Sequence, residues 1–110
     1  MKTNIVIAAT AIFLVGCETQ NSHKPLQSYP EWVAYRDCLY ARAQAYAPQQ
    51  GSPLELGTIA ASACESTRLL GLQAISKNES RYFVKGVADG SSQTGPKLAA
   101  EMILRIRSSK

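Results

Sequence analysis

Three cysteines, at positions 17, 38 and 64, place the strongest constraint on the fold of this 110-residue chain. A bridge between two of them would fix how two segments of the chain pack. Cys17 ends an apolar run of twelve residues that begins at Ile5 and follows the cation Lys2. A membrane-spanning helix needs about 20 apolar residues, so this shorter run is typical of the central part of a secretory signal. Residues 1–16 are therefore excluded from the expected fold.

The residues that precede Cys17 are more specific. Leu14-Val15-Gly16-Cys17 resembles the lipobox of bacterial lipoproteins, over residues 1–17 of this chain. The resemblance implies a diacylglyceryl group on the Cys17 sulfur, cleavage before it and acylation of the new amino terminus, and several acyl chains anchor a protein stably. In lipoproteins of enteric-type bacteria an aspartate at the position of Glu18 implies retention in the inner membrane, so the resemblance implies the outer membrane, facing the periplasm, with the inner membrane as the alternative. An ordinary signal peptide with a free Cys17 thiol and an uncleaved anchor are the alternatives.

Export changes the meaning of the other two cysteines. With Cys17 modified by lipid, Cys38 and Cys64 form an even pair in an oxidising compartment, which favours a disulfide. Two free buried thiols are the alternative. No metal site is expected, because the chain has one histidine, His23, in a polar segment.

The sequence around this pair predicts two helices and a short connection. Ser28-Tyr29-Pro30-Glu31 and Ser52-Pro53-Leu54-Glu55 both have the pattern of a capping box, with proline in the first turn. Ala47 to Gly51, which contains Pro48, reads as the turn between them. We therefore expect an antiparallel helical hairpin.

Helical periodicity predicts how this hairpin packs. Small side chains share a stripe with each cysteine, and in antiparallel register Ala41 would face Ala61 and Ala45 would face Gly57. The two stripes are Ala34, Cys38, Ala41 and Ala45, and Gly57, Ala60, Ala61, Cys64 and Gly71. Bulky stripes beside them need a third element. Gly95-Pro96 is expected to open that third helix, which would run to about Arg107.

The remaining segments complete an all-α prediction of a disulfide-linked hairpin extended to a three- or four-helix bundle. Residues 77–94 read as another helical turn or an extension of the second helix, with 90–95 as a flexible loop. Residues 17–27 are expected to be a lipidated flexible tether, and residues 28–110 the helical domain. The layout from Trp32 to Cys38, followed by "AASACESTR" at 60–68, resembles small exported bacterial proteins built on a cysteine-linked helical pair. That resemblance implies a fold and no activity.

The expected chemistry is binding and not catalysis. No base is placed to activate a nucleophile, the carboxylates are scattered, and no glycine spacing suits a phosphate, so we expect no enzyme, no cofactor and no small-molecule substrate. Removing residues 1–16 leaves a net charge of +3, which a solvated surface explains without nucleic acid. Most aromatic residues fall on a core stripe, whereas Tyr40 lies about 80° from Trp32 and is harder to bury.

These features predict a protein that acts by contact with another protein. The possible partner surface consists of Tyr40, Lys97, Arg105 and Arg107. A solvated, basic carboxyl-terminal helix end is the alternative reading of the three cations. We expect an envelope accessory or assembly factor, similar to the pilotins of secretion systems only in size and fold. The alternative is an immunity or inhibitor lipoprotein that neutralises a toxin or a wall hydrolase.

Overall fold

A computed structural model describes residues 24–109, which form four α-helices and no strand. After a 3₁₀ turn at Leu26–Ser28, the helices are α1 (Pro30–Tyr46), α2 (Pro53–Ala63), α3 (Glu65–Ser76) and α4 (Arg81–Ser108). The expectation of an all-α bundle with a disulfide-linked hairpin is confirmed. Residues 1–23, which include Cys17 and the expected signal, lie outside the described part of the chain.

One of the two expected capping boxes is present. The Ser52 hydroxyl accepts a hydrogen bond from the Glu55 N–H, and the Glu55 carboxylate accepts one from the Ser52 N–H. At α1 the expected box is wrong, because the residue before the helix is Tyr29 and no side chain caps it. The 3₁₀ turn draws the Ser28 hydroxyl to the Pro25 carbonyl, at 2.7 Å. Pro30 still opens the helix, as its fixed φ favours.

The face of α1 that packs is the bulky one. Tyr35, Leu39 and Ala43 are buried, while Ala34, Ala41 and Ala45 of the small stripe are exposed. The expected pairs Ala41–Ala61 and Ala45–Gly57 are therefore wrong. Large side chains of α1 lie instead over small residues of the other helices, because that arrangement buries more apolar area at the same helix separation.

The second expected helix divides at Cys64 into α2 and α3. The Cys64 backbone, with φ −105° and ψ 13°, leaves the helical region between them. This break lets the two halves pack on different partners. At Gly57 of α2 an added Cβ would meet the Pro96 carbonyl oxygen of α4 at 2.5 Å, and at Gly71 of α3 it would meet the Trp32 ring at 2.7 Å. Both glycines are required for these close approaches.

The last helix is longer than its sequence indicates. It begins at Arg81, where the Ser80 hydroxyl accepts from the Phe83 N–H, and it runs for 28 residues through Gly90–Gly95 and Pro96. The expected loop at 90–95 and the expected start at Gly95-Pro96 are both wrong. Gly95 lies against the Tyr35 hydroxyl, and Ser91 and Ala99 are buried one helical turn to either side. Small residues here permit a close helix contact, which outweighs the poor helix propensity of glycine and serine.

Two contiguous core clusters join the helices. The first contains Tyr35, Leu39, Ala60, Cys64 and Ala99, and the second contains Ala43, Ala47, Leu56 and Ile103. Tyr35 faces Gly95 and Ala43 packs near Ile103, so α1 and α4 run parallel. Because Cys38 joins Cys64 and Trp32 covers Gly71, α3 runs antiparallel to α1.

Candidate functional site

The disulfide that the sequence predicts joins Cys38 of α1 to Cys64, with 5.9 Å between the Cα atoms. Cys64 is fully buried in the first core cluster, and Cys38 packs against that cluster. The bridge therefore fixes α1 at the junction of α2 and α3. It holds in place the helix that carries Tyr40, two residues after Cys38.

Tyr40 and Arg105, both expected in the partner surface, line one groove. The groove measures about 300 Å³, lies between α1 and the last turns of α4, and is also lined by Met102, Ile106 and Ser109. Tyr40 is 49% exposed, and the two apolar side chains are half-buried. The Arg105 guanidinium makes no ion pair or hydrogen bond with any residue in 24–109. We call these five residues the Tyr40–Arg105 groove.

The other two cations of the expected surface lie elsewhere. Lys97 is exposed on α4, about 12 Å along the helix axis from Arg105. The half-buried Arg107 turns inward and donates from Nε to the Ala47 carbonyl at 2.9 Å, and from Nη2 to the carbonyls of Gln49 and Gly51 at 2.7 and 3.1 Å. Arg107 thus holds the turn after α1 to the end of α4, and it does not line the groove.

A second groove lies on the other side of this turn. It measures about 630 Å³ and is lined by residues 50–52, 54–56 and 58–59 at the start of α2. Leu54 and Ile59 are 59% and 53% exposed there. Ile59 is exposed because Gly57, two residues earlier on α2, faces α4.

A polar pocket around Arg68 was not expected from the sequence. This pocket of about 230 Å³ lies between α2, α3 and α4 and includes Tyr35, Glu65 and Ser91 in its lining. Arg68 donates from Nε and Nη2 to both Glu65 carboxylate oxygens, at 2.9 and 2.7 Å, and from Nη1 to the Ala88 carbonyl and the Ser91 hydroxyl. The spacing of Glu65 and Arg68, three residues apart on one helix, was the available signal.

The charges in this pocket are matched. The hydrogen bond from Arg68 lowers the pKa of Glu65, and the same bond raises the pKa of Arg68. Burial raises the pKa of Tyr35, against the opposing effect of the Arg68 charge. Because four of the five guanidinium N–H groups are engaged and the charge is neutralised, the pocket mainly ties α3 to α4.

Residues 24–109 contain no group of three or more His, Cys, Asp or Glu side chains that could hold a metal ion. No helix among them is both long enough and apolar enough to cross a membrane.

Comparison with protein-family models, with curated proteins and with solved structures found no match to this chain.

Proposed function

We propose that this chain is a lipid-anchored protein of the bacterial outer membrane that faces the periplasm and acts as an envelope accessory or assembly factor. The observation that carries the proposal is the Tyr40–Arg105 groove, in which an exposed tyrosine and a guanidinium with no partner among residues 24–109 lie beside two apolar side chains. Tyrosine and arginine are the residue types that most often dominate protein interfaces. The anchor itself is proposed on the residues around Cys17.

The chemistry of the groove defines its occupant. Met102 and Ile106 offer an apolar floor for one side chain, and Met adapts readily to the shape of its partner. Arg105 can bind a carboxylate with two parallel hydrogen bonds. We therefore expect a segment of an envelope protein that places an apolar side chain beside an aspartate or glutamate.

The groove is tested by photocrosslinking in living cells. Benzoylphenylalanine at Tyr40 is expected to capture one envelope protein, and the same residue at Tyr82, an exposed tyrosine near the other end of α4, is the control and should not capture it. Arg105→Glu should reduce capture about tenfold or more, since it replaces attraction by repulsion. Changing the partner's carboxylate that lies beside the crosslinking site to lysine should restore capture by Arg105→Glu.

Two outcomes would contradict the proposal. Equal capture by wild type and Arg105→Glu would show that the groove is not the binding site. Capture of a toxin that enters from outside the cell would contradict the assembly role and support the inhibitor role. The anchor is tested separately, because labelled palmitate should enter the wild type and not Cys17→Ser.

A further inference from the structure

The start of the described chain is held at one end of the bundle. The backbone N–H of Lys24 donates to the Glu79 carboxylate, at 3.3 Å, in the turn between α3 and α4. The Lys24 ammonium lies 5.7 Å above the Tyr29 ring, and Tyr29 is buried. The carboxyl-terminal part of the expected tether is thus attached to the domain beside this turn.

This attachment limits how far the turn can stand from the anchor. Six residues, 18–23, separate Cys17 from Lys24. The seven residue steps from Cys17 to Lys24 reach about 25 Å when fully extended, and an unconstrained chain spans less. Arg105 lies about 36 Å along α4 from Arg81, at the opposite end of that helix. A lipid on Cys17 would therefore keep the turn between α3 and α4 within about 25 Å of the membrane surface, and the Tyr40–Arg105 groove lies at the other end of α4.

The surface beside this turn has the composition of a membrane contact. Lys77 and Arg81 are exposed and make no ion pair with any residue in 24–109, and Tyr82 is 90% exposed. Tyrosine is favoured at membrane interfaces because its ring enters the apolar boundary while its hydroxyl stays in water. The nearby carboxylates are engaged, since Glu79 accepts from Lys24 and Asp89 pairs with Lys85 at 2.9 Å.

The start of α4 also has side chains that the other helices do not bury. The first buried residue of α4 is Ser91, so ten residues of the helix, 81–90, have no fully buried side chain. A groove of about 490 Å³ between the end of α3 and the start of α4 is lined by Ser76, Glu79, Arg81, Val84, Lys85 and Ala88. Glu79 accepts from Lys24 and Lys85 pairs with Asp89, so Arg81 is the cation that can meet a phosphate headgroup, and Val84 and Ala88 can meet the first carbons of an acyl chain.

We infer that the face formed by Lys77, Arg81 and Tyr82 lies against the anionic phosphate headgroups of the membrane that holds the anchor. This inference rests on the proposed anchor and adds an orientation to it. The carboxyl-terminal end of the bundle then points away from the membrane, where the Tyr40–Arg105 groove is open to a partner. Each cation near an anionic surface raises the affinity for that surface about fivefold.

The test uses the lipidated chain, with the mass of the acylated Cys17 confirmed, in vesicles of phosphatidylethanolamine with phosphatidylglycerol. Benzoylphenylalanine at Tyr82 is expected to give about ten times more lipid adduct than at Tyr40. The Tyr82 adduct should fall about fivefold or more in Lys77→Glu/Arg81→Glu, or when phosphatidylcholine alone is used. Arg42→Glu/Lys97→Glu, which makes the same charge change at exposed positions away from this face, should leave the adduct unchanged.

Equal adducts at Tyr82 and Tyr40, or equal effects of the two charge-reversed pairs, would overturn the orientation while leaving the anchor in place. An unmodified Cys17 would overturn the anchor and this inference together. Capture of a partner at Tyr40 is measured independently, so the failure of the groove and the failure of the membrane face are distinguishable.

Discussion

Replacement of Gly57 by alanine should separate α2 from α4. The added Cβ would lie 2.5 Å from the Pro96 carbonyl oxygen and 2.8 Å from the Ala100 nitrogen, and both are backbone atoms of α4. An ordinary contact is about 3.5 Å, so α4 must recede by about 1 Å. No change of rotamer can relieve this contact, because the alanine methyl group has no rotamers and the opposing atoms belong to the backbone.

The magnitude follows from what the displacement disturbs. The fully buried residues Ala60, Ala99 and Ile103 lie at or beside this interface, and a gap of about 1 Å forfeits up to half of each contact there. Overpacking of this kind costs up to about 3 kcal/mol, and the better helix propensity of alanine returns about 1 kcal/mol. The expected net loss is about 2 kcal/mol, or about 10 °C in Tm for a domain of this size.

Gly86→Ala is the matched control. Gly86 also lies inside a helix, but a Cβ there would meet nothing within 4 Å. This variant should be more stable than wild type by about 0.5–1 kcal/mol, from helix propensity alone. Thermal unfolding followed by far-ultraviolet circular dichroism measures both. A Gly57→Ala protein as stable as wild type would refute the close approach of α2 and α4.

Three further predictions test the bridge, the turn after α1 and the polar pocket. Cys38→Ser opens a loop of 26 residues and should lower the free energy of unfolding by about 3.5 kcal/mol. Its Tm should be lower than that of wild type, and adding reductant should not lower it further. An unchanged Tm would contradict the bridge. Arg107→Lys loses the planar guanidinium that donates to three carbonyls, and the free energy of unfolding measured with denaturant should fall by about 1–2 kcal/mol. Arg105→Lys, which removes no such contacts, should leave the free energy of unfolding unchanged. Burial raises the pKa of Tyr35, so its contribution to stability is complete below about pH 10 and is lost as pH rises through the folded-state pKa. Tyr35→Phe should match wild type at neutral pH, because the Tyr35 hydroxyl makes no hydrogen bond to residues 24–109. As the pH rises above about 10, the Tm of Tyr35→Phe should fall less than that of wild type, and a parallel decline in both proteins would exclude this cause.

Part of the candidate site was accessible from the sequence. The angular position of Tyr40 on α1, away from the core stripe, predicted its exposure, and the structure brings it beside Arg105. The structural role of Arg107 was not predictable, because its acceptors lie in a turn more than fifty residues earlier in the chain. Periodicity reports the direction of a side chain on its own helix and contains no information about carbonyls supplied by another.

The sequence by itself determined the features that depend on neighbouring residues and on covalent chemistry. These are the all-α class, the capped start of α2, the turn before it and the pairing of Cys38 with Cys64. Tertiary structure decided which face of α1 is buried and whether residues 90–96 are helical. Glycine, serine and proline disfavour a helix locally, by about 1 kcal/mol for each glycine and about 3 kcal/mol for proline. Gly95 and Gly57 offset that cost because they let α4 pack closely against Tyr35 and α2. This packing stabilises the helix only in the folded protein, where the helices are in contact.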